Sequence, residues 1–235
     1  MKTLVIIPAY NEAKSIVAVV DSVNQQGYDY IVINDGSTDE TLAVCQLNDI
    51  NVITLSRNLG IGGAVQVGHK YAFRNGYDVD VQIDGDGQHD VSYIPVLVRE
   101  IEKGADLVIG SRFLEETSGF KSTFMRRVGI RWISGLVRLL YKAKVTDPTS
   151  GFRASGRKAL ELFSQSYPID YPEPESIAEA LNNGMTIVEV PVHMNERTEG
   201  KSSIGFFDSA YYMIKVTLAI LIEASAKPTK RKKER

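Results

Sequence analysis

The stretch Val79-Asp80-Val81-Gln82-Ile83-Asp84-Gly85-Asp86-Gly87-Gln88-His89 decides how the rest of the chain is read. Its first half is a short β-branched run that reads as a strand. Its second half is a turn, loosened by Gly85 and Gly87, that carries two carboxylates one residue apart. A strand that stops on a polar turn is half of a β-loop-α unit, and the same order recurs on both sides of it. Strands are expected at 4–7, 30–34, 52–55, 79–84, 107–110 and 186–192. Helices are expected at 13–25, 39–47, 63–75, 91–103, 126–142 and 175–183. Such alternation predicts an α/β fold with a mostly parallel sheet flanked by helices. Ligands of such sheets bind beyond the carboxyl ends of the strands. Polar motifs stand at those ends five times in succession: Pro8-Ala9-Tyr10-Asn11-Glu12, Asp35-Gly36-Ser37-Thr38-Asp39, Arg57-Asn58-Leu59-Gly60, the Asp84–His89 turn, and Gly110-Ser111-Arg112. One or two would be ordinary loop polarity; five predict a single site.

The chain has 235 residues, 43% hydrophobic and 24% charged, which is a globular composition sized for one domain with a C-terminal appendage. One cysteine, Cys45, excludes an internal disulfide and fits a reducing, cytoplasmic setting. The first eight residues read as a strand rather than as a secretion leader. The net charge of −2 is unevenly spread. Residues 227–235 hold Lys227, Lys230, Arg231, Lys232, Lys233 and Arg235 against Glu234, so this tail carries +5 and the remainder −7. The expected organisation is a catalytic domain over 1–205, an apolar or amphipathic C-terminal helix over 206–226, and a basic disordered tail over 227–235.

Asp84-x-Asp86 places two carboxylates where they can share one divalent cation. Hard ions such as Mg²⁺ and Mn²⁺ favour oxygen ligands and keep positions open for substrate phosphates. The other reading is a solvated acidic turn; its place directly after a strand favours the metal, with Gln88 and His89 in reach. Asp35 can accept hydrogen bonds from a base or ribose, while Ser37 and Asp39 can cap the following helix. Gly60-x-Gly62-Gly63 lacks the spacing of a dinucleotide fingerprint and reads as tight packing at a helix entrance. Arg112 and Arg153 offer planar forks for phosphate. Asp147 lies in the turn-rich stretch that leads to Arg153. Glu175 suits a helix N-terminus. Arg197, Lys201 and Ser202 lie in a polar loop able to close over a pyrophosphate.

Taken together and in order, Pro8–Glu12, Asn34-Asp35-Gly36-Ser37, Arg57-Asn58-x-Gly60, Asp84-x-Asp86-x-Gln88-His89, Gly110-Ser111-Arg112, Asp147-x-x-Ser150-Gly151-Phe152-Arg153 and Arg197-x-x-Gly200-Lys201-Ser202 resemble the family 2 inverting glycosyltransferases of GT-A fold. The chain is most similar to the branch of dolichol-phosphate mannose synthases and polyprenyl-phosphate glycosyltransferases, over about residues 3–205. The resemblance implies a metal-dependent enzyme that takes a sugar from a UDP- or GDP-sugar. Pro8, Ala9, Tyr10, Glu12 and Asp35 would line the base and ribose pocket, with Arg57 on the same donor side. Asp84, Asp86 and Gln88 would surround Mg²⁺ or Mn²⁺. Arg112 and Arg153 would face phosphate or acceptor, with Asp147 near the acceptor. Arg197, Lys201 and Ser202 would meet the diphosphate. Two departures stand out: Asn34, where the family often has a second Asp, and the proline-rich Tyr171-Pro172-Glu173-Pro174-Glu175. A lipid phosphate acceptor is already ionised and needs no base; Asp147 would then orient neighbours such as Arg153. A hydroxyl acceptor needs a carboxylate base, first Asp147, then Glu175.

Helix 126–142 places Arg127, Arg131, Ser134, Arg138 and Lys142 on one stripe and Val128, Trp132, Leu136, Leu139 and Leu140 on another. It reads either as an interfacial helix or as a surface helix packed on the sheet. The stretch 210–226 is apolar but interrupted by Lys215 and Glu223, too short and broken to span a bilayer. With the basic tail it predicts peripheral attachment to the cytoplasmic face of a membrane, or else the interface of a homo-oligomer. Competing readings are a transferase acting on a saccharide hydroxyl in polysaccharide synthesis and a catalytically silent nucleotide-sugar-binding subunit. A nucleotidyltransferase is disfavoured, because Pro8–Glu12 is neither Gly-rich nor basic. Nucleic acid is not an expected partner, since only the tail speaks for it.

Overall fold

A computed structural model of the protein describes residues 1–114, 124–195 and 206–226. Its strands are β1 (Thr3–Ala9), β2 (Asp29–Asn34), β3 (Val52–Thr54), β4 (Val79–Gln82), β5 (Leu107–Ser111), β6 (Arg153–Gly156) and β7 (Ile187–Pro191). Its helices are α1 (Ile16–Gln25), α2 (Thr41–Leu47), α3 (Gly60–Arg74), α4 (Ile94–Glu102), α5 (Phe124–Tyr141), α6 (Arg157–Gln165), α7 (Pro172–Asn182) and α8 (Phe206–Ser225). The seven strands form one sheet in the order β3-β2-β1-β4-β6-β5-β7. Pairing is parallel throughout, except that β6 runs antiparallel to both β4 and β5. The expected mostly parallel α/β sheet is thus what forms.

Alternation along each strand supplies both cores. Val5 and Ile7 of β1 turn to one face, against Ile16 and Val19 of α1 and Ile94 and Leu97 of α4. Leu4 and Ile6 turn to the other, against Ala64 and Ala72 of α3 and Leu160 of α6. Strand β5 repeats the division, with Val108 on the first face and Leu107 and Ile109 on the second. A sheet buried on both faces needs continuous apolar runs, which is why β1 and β5 were legible.

Several elements differ from their sequence reading. Strand β6 and helix α6 were not anticipated. Helix α3 begins at Gly60 instead of 63, so Gly60-x-Gly62-Gly63 is its first turn, and a Cβ at Gly62 would collide with the Pro168 carbonyl oxygen, the tight packing expected there. Helix α7 begins at Pro172, with both prolines in its first turn, where a missing N–H costs no helical bond. The proline-rich stretch therefore starts a helix instead of delaying one. Helix α4 is entered through a tight turn at Val91–Tyr93 that Asp90 caps by accepting the Ser92 N–H.

On the second face, α5 buries Ile133 and Val137 in a cluster with Ile177 of α7 and Val216 and Ile220 of α8. The Trp132 indole N–H donates to the Thr217 hydroxyl at 3.0 Å, joining α5 to α8. Among the described residues, no helix is long and apolar enough to cross a membrane.

Candidate active site

The loops after β1, β2 and β3 are laced together by their own polar side chains. The Asn11 N–H donates to Ser37 Oγ, and Asn11 Oδ1 accepts the Thr38 N–H at 2.8 Å. The Glu12 N–H donates to Thr41 Oγ1 at 2.8 Å. Asn34 Oδ1 accepts the Ser37 N–H, so an amide does the turn-closing work at this departure from the family pattern. Gly36 has φ +66, and a Cβ there would stand 2.7 Å from the Arg57 main chain, so the second and third loops meet only because this position has no side chain. Asp35 is buried, and its Oδ1 accepts the Leu59 N–H at 2.7 Å. Burial pushes its carboxyl up, while the N–H groups of Leu59 and Gly60 draw it back. Pro8 and Ala9 are buried; Tyr10 and Arg57 are exposed at the mouth. Asp39 accepts the Thr41 N–H and so caps α2 from just outside it.

Strand β4 ends at Gln82, and Asp84 lies past it with its side chain 39% exposed. Asp86 is buried, and its Oδ1 accepts the Gln88 N–H at 3.0 Å. His89 is buried and stacked on Phe152, with centroids 5.0 Å apart. Its Nδ1 accepts the Asp84 N–H at 2.9 Å, so the proton of the neutral ring is on Nε2, 3.7 Å from Asp84 Oδ2. This histidine fixes the Asp84 main chain through Nδ1 and faces the Asp84 carboxylate with Nε2. A Cβ at Gly151 would lie 3.3 Å from Asp84 Oδ1, so the loop before β6 also closes on this carboxylate. Asp84 and Asp86 are hard oxygen donors of opposite exposure at one turn, which fits a small divalent cation. Among the described residues no three His, Cys, Asp or Glu gather to hold a metal by themselves. The fit is thus to an ion that also takes oxygens from a ligand.

Beyond β5, Arg112 and Asp147 form a buried bidentate pair. Arg112 Nε donates to Asp147 Oδ2 at 2.6 Å and Nη2 to Oδ1 at 2.7 Å, and the Arg112 main-chain N–H adds a third bond at 3.1 Å. Thr149 Oγ1 accepts from Nη2 as well. Asp147 therefore orients Arg112, not Arg153, and both its oxygens are engaged. Arg153 is also buried, with Nε on the Ser150 carbonyl, Nη1 on Ser176 Oγ and Nη2 on the Pro148 carbonyl. The forks expected to hold phosphate are occupied by the protein itself.

The two glutamates beside Pro174 diverge. Glu175 stands among Asp170 and Glu223, toward α8. Glu173 is the one in the field of Arg153, Asp84 and Arg112. Burial raises its carboxyl most, Asp84 raises it further, and the two arginines oppose them. A second carboxylate missed in the sequence is Glu189 of β7. It accepts the N–H of Thr146 at 2.7 Å and of Asp147 at 2.8 Å. Burial pushes it up against the pull of those N–H groups. Its signal was a lone acid between Val188 and Val190 in an apolar strand. Arg197, Lys201 and Ser202 lie outside the described residues.

The chain matches the family described as Glycosyl transferase family 2 over residues 4–163. It is 31% identical over 227 residues to the polyprenol monophosphomannose synthase of Mycolicibacterium smegmatis, covering 92% of this chain and 85% of that protein. It is 32% identical over 208 residues to the UDP-N-acetylglucosamine–dolichyl-phosphate N-acetylglucosaminyltransferase of Methanococcus voltae, covering 80% and 83%. Among solved structures, glucosyl-3-phosphoglycerate synthase from Mycobacterium tuberculosis, in complex with Mn²⁺, UDP-glucose and phosphoglyceric acid, matches with a TM-score of 0.72 at 20% identity, covering 97% of this chain and 81% of that one. That likeness identifies the fold as GT-A. These matches show that the chain is a glycosyltransferase belonging to glycosyl transferase family 2.

Proposed function

We propose that this enzyme transfers a sugar, with inversion, from a UDP- or GDP-sugar to a polyprenyl phosphate or lipid-linked acceptor. The observation that carries the acceptor reading is the saturated carboxylate of Asp147. A hydroxyl acceptor must lose its proton to a base, and both oxygens of the first candidate are bound to Arg112. An ionised phosphate needs no base, and the related enzymes named above carry polyprenol or dolichyl phosphate in their names.

On the donor side, Asp35 with Pro8, Ala9, Tyr10 and Glu12 would receive the base and ribose, with Arg57 at the rim. Mg²⁺ or Mn²⁺, held by Asp84 and Asp86 with Gln88 beside them, would neutralise charge growing on the departing diphosphate. Arg197, Lys201 and Ser202 are assigned to that diphosphate by the family pattern. Arg112, held by Asp147, contributes positive potential on the acceptor side, where charge-stabilising groups act most strongly once water is excluded. Arg153 acts through position, tying the 148–150 loop to α7.

The enzyme would work from a membrane surface on the cytoplasmic side. In support, α5 exposes Val128, Trp132 and Leu139 beside Arg127, Arg131 and Arg138, and α8 exposes Tyr211, Ile214, Leu218 and Ile222. A second reading, transfer to a saccharide hydroxyl, is favoured by one observation: Glu173, held above the ordinary carboxylate range by burial, stands in the field of Asp84.

The test is incubation with a panel of UDP- and GDP-sugars, undecaprenyl phosphate and Mn²⁺ or Mg²⁺, with product analysis by mass spectrometry. A lipid-phosphate sugar that vanishes with chelator is expected. Nucleotide release without that product transfers the acceptor to a hydroxyl. Donor binding without any turnover makes the protein a silent subunit.

A further inference from the structure

Glu189 sits in the middle of β7 between Val188 and Val190, a strand that pairs with β5 at Ile109↔Glu189. An apolar strand gains nothing from a carboxylate unless its oxygens are used. Here they are used on main chain. Oε1 accepts the N–H groups of Thr146 at 2.9 Å and of Asp147 at 2.8 Å, and Oε2 accepts that of Thr146 at 2.7 Å. Two consecutive peptide groups anchored to one carboxylate fix the direction of the loop. From that loop the Asp147 side chain reaches the Arg112 fork, and Thr146 Oγ1 pairs with Ser111 Oγ at 2.8 Å at the end of β5. Three distant segments therefore meet: residue 189, residues 146–147 and residues 111–112.

We propose that Glu189 is a positioning residue for transfer: it sets the Asp147 main chain so that the Asp147 carboxylate holds the Arg112 guanidinium in its working orientation at the carboxyl edge of the sheet. It touches neither sugar nor phosphate. Both oxygens matter. Glutamine keeps an oxygen at the position that receives two N–H groups but turns an NH₂ toward Thr146, where alanine leaves both donors without a partner.

The kinetic arm of the test rests on the reading proposed above; the spectroscopic arm does not. Glu189→Ala is expected to lower kcat on undecaprenyl phosphate about 100-fold, the scale of a displaced reacting group. Mn²⁺–nucleotide affinity should stay within about twofold of wild type, and Glu189→Gln should return most of the lost turnover. By NMR, exchange of the Thr146 and Asp147 amides and of the Arg112 Nε–H should quicken in Glu189→Ala and less in Glu189→Gln. Unchanged exchange at the Arg112 Nε–H overturns the assignment. So does a parallel loss of nucleotide affinity and turnover that glutamine does not rescue, since that pattern is general structural damage. If the wild type does not act on undecaprenyl phosphate, the acceptor reading falls and the exchange data decide the role of Glu189 alone.

Discussion

Asp147 and Asp86 make opposite demands on a substitution. Asp147 is buried with both oxygens on Arg112, so Asp147→Asn leaves a buried guanidinium without its counter-charge. Breaking such a pair costs about 3–5 kcal/mol. A fall of that order in urea unfolding is expected, together with lost turnover. The double change Arg112→Met with Asp147→Leu should regain much of the stability and none of the activity. Equal stability of the single and double variants would show that the pair is not what holds this loop. Asp86→Ala removes a carboxylate at the acidic turn; turnover should drop by at least about 100-fold, and Mn²⁺ binding by electron paramagnetic resonance should weaken in step. A fully active variant sinks the metal assignment. Residue types were legible here, and their partners were not. Asp-x-Asp and the arginines announce themselves by chemistry, whereas the pairing of residue 147 with 112, and of Glu173 rather than Glu175 with the site, is decided by which face of a turn or helix each occupies.

At the scale of elements, periodicity exposed the long apolar strands and hid the short one. Strand β6 is Arg153-Ala154-Ser155-Gly156, with no β-branched residue, and it is a strand because β4 and β5 pair with it on both sides. Helix α6, by contrast, carried a readable stripe in Ala159, Leu160, Leu162 and Phe163. The α7–α8 seam yields a pH prediction. Glu179 is pushed up to about 7 by burial first, then by Glu223 and Glu175. The unfolded chain holds its proton only up to about 4.5. The raised group thus contributes full stability below that pH, and the contribution disappears as pH rises through about 7. Glu179→Gln should flatten the thermal midpoint against pH across that window and raise it at the alkaline end. Identical slopes in mutant and wild type would rule out this carboxyl as the source.

For the whole molecule, α5 and α8, joined by Trp132 and Thr217, share one layer and each exposes apolar side chains. Trp132 is the single tryptophan of the chain and 57% exposed, so its fluorescence reports directly on that face. Anionic vesicles are expected to shift its emission to the blue, and Ile214→Asp with Ile222→Asp should abolish the shift without changing nucleotide affinity. An unshifted spectrum with bound vesicles would put the contact elsewhere. The reversed strand β6, set between β4 and β5, bears on synthesis. The sheet partners of β5 are β6 and β7, both later in the chain. While the ribosome has delivered only residues before 153, the nascent chain can assemble β3-β2-β1-β4 and leaves β5 with no neighbour to join. The half that would grip the nucleotide is therefore complete early, and the half that would meet the acceptor is admitted only when the four residues of β6 arrive to bridge the gap.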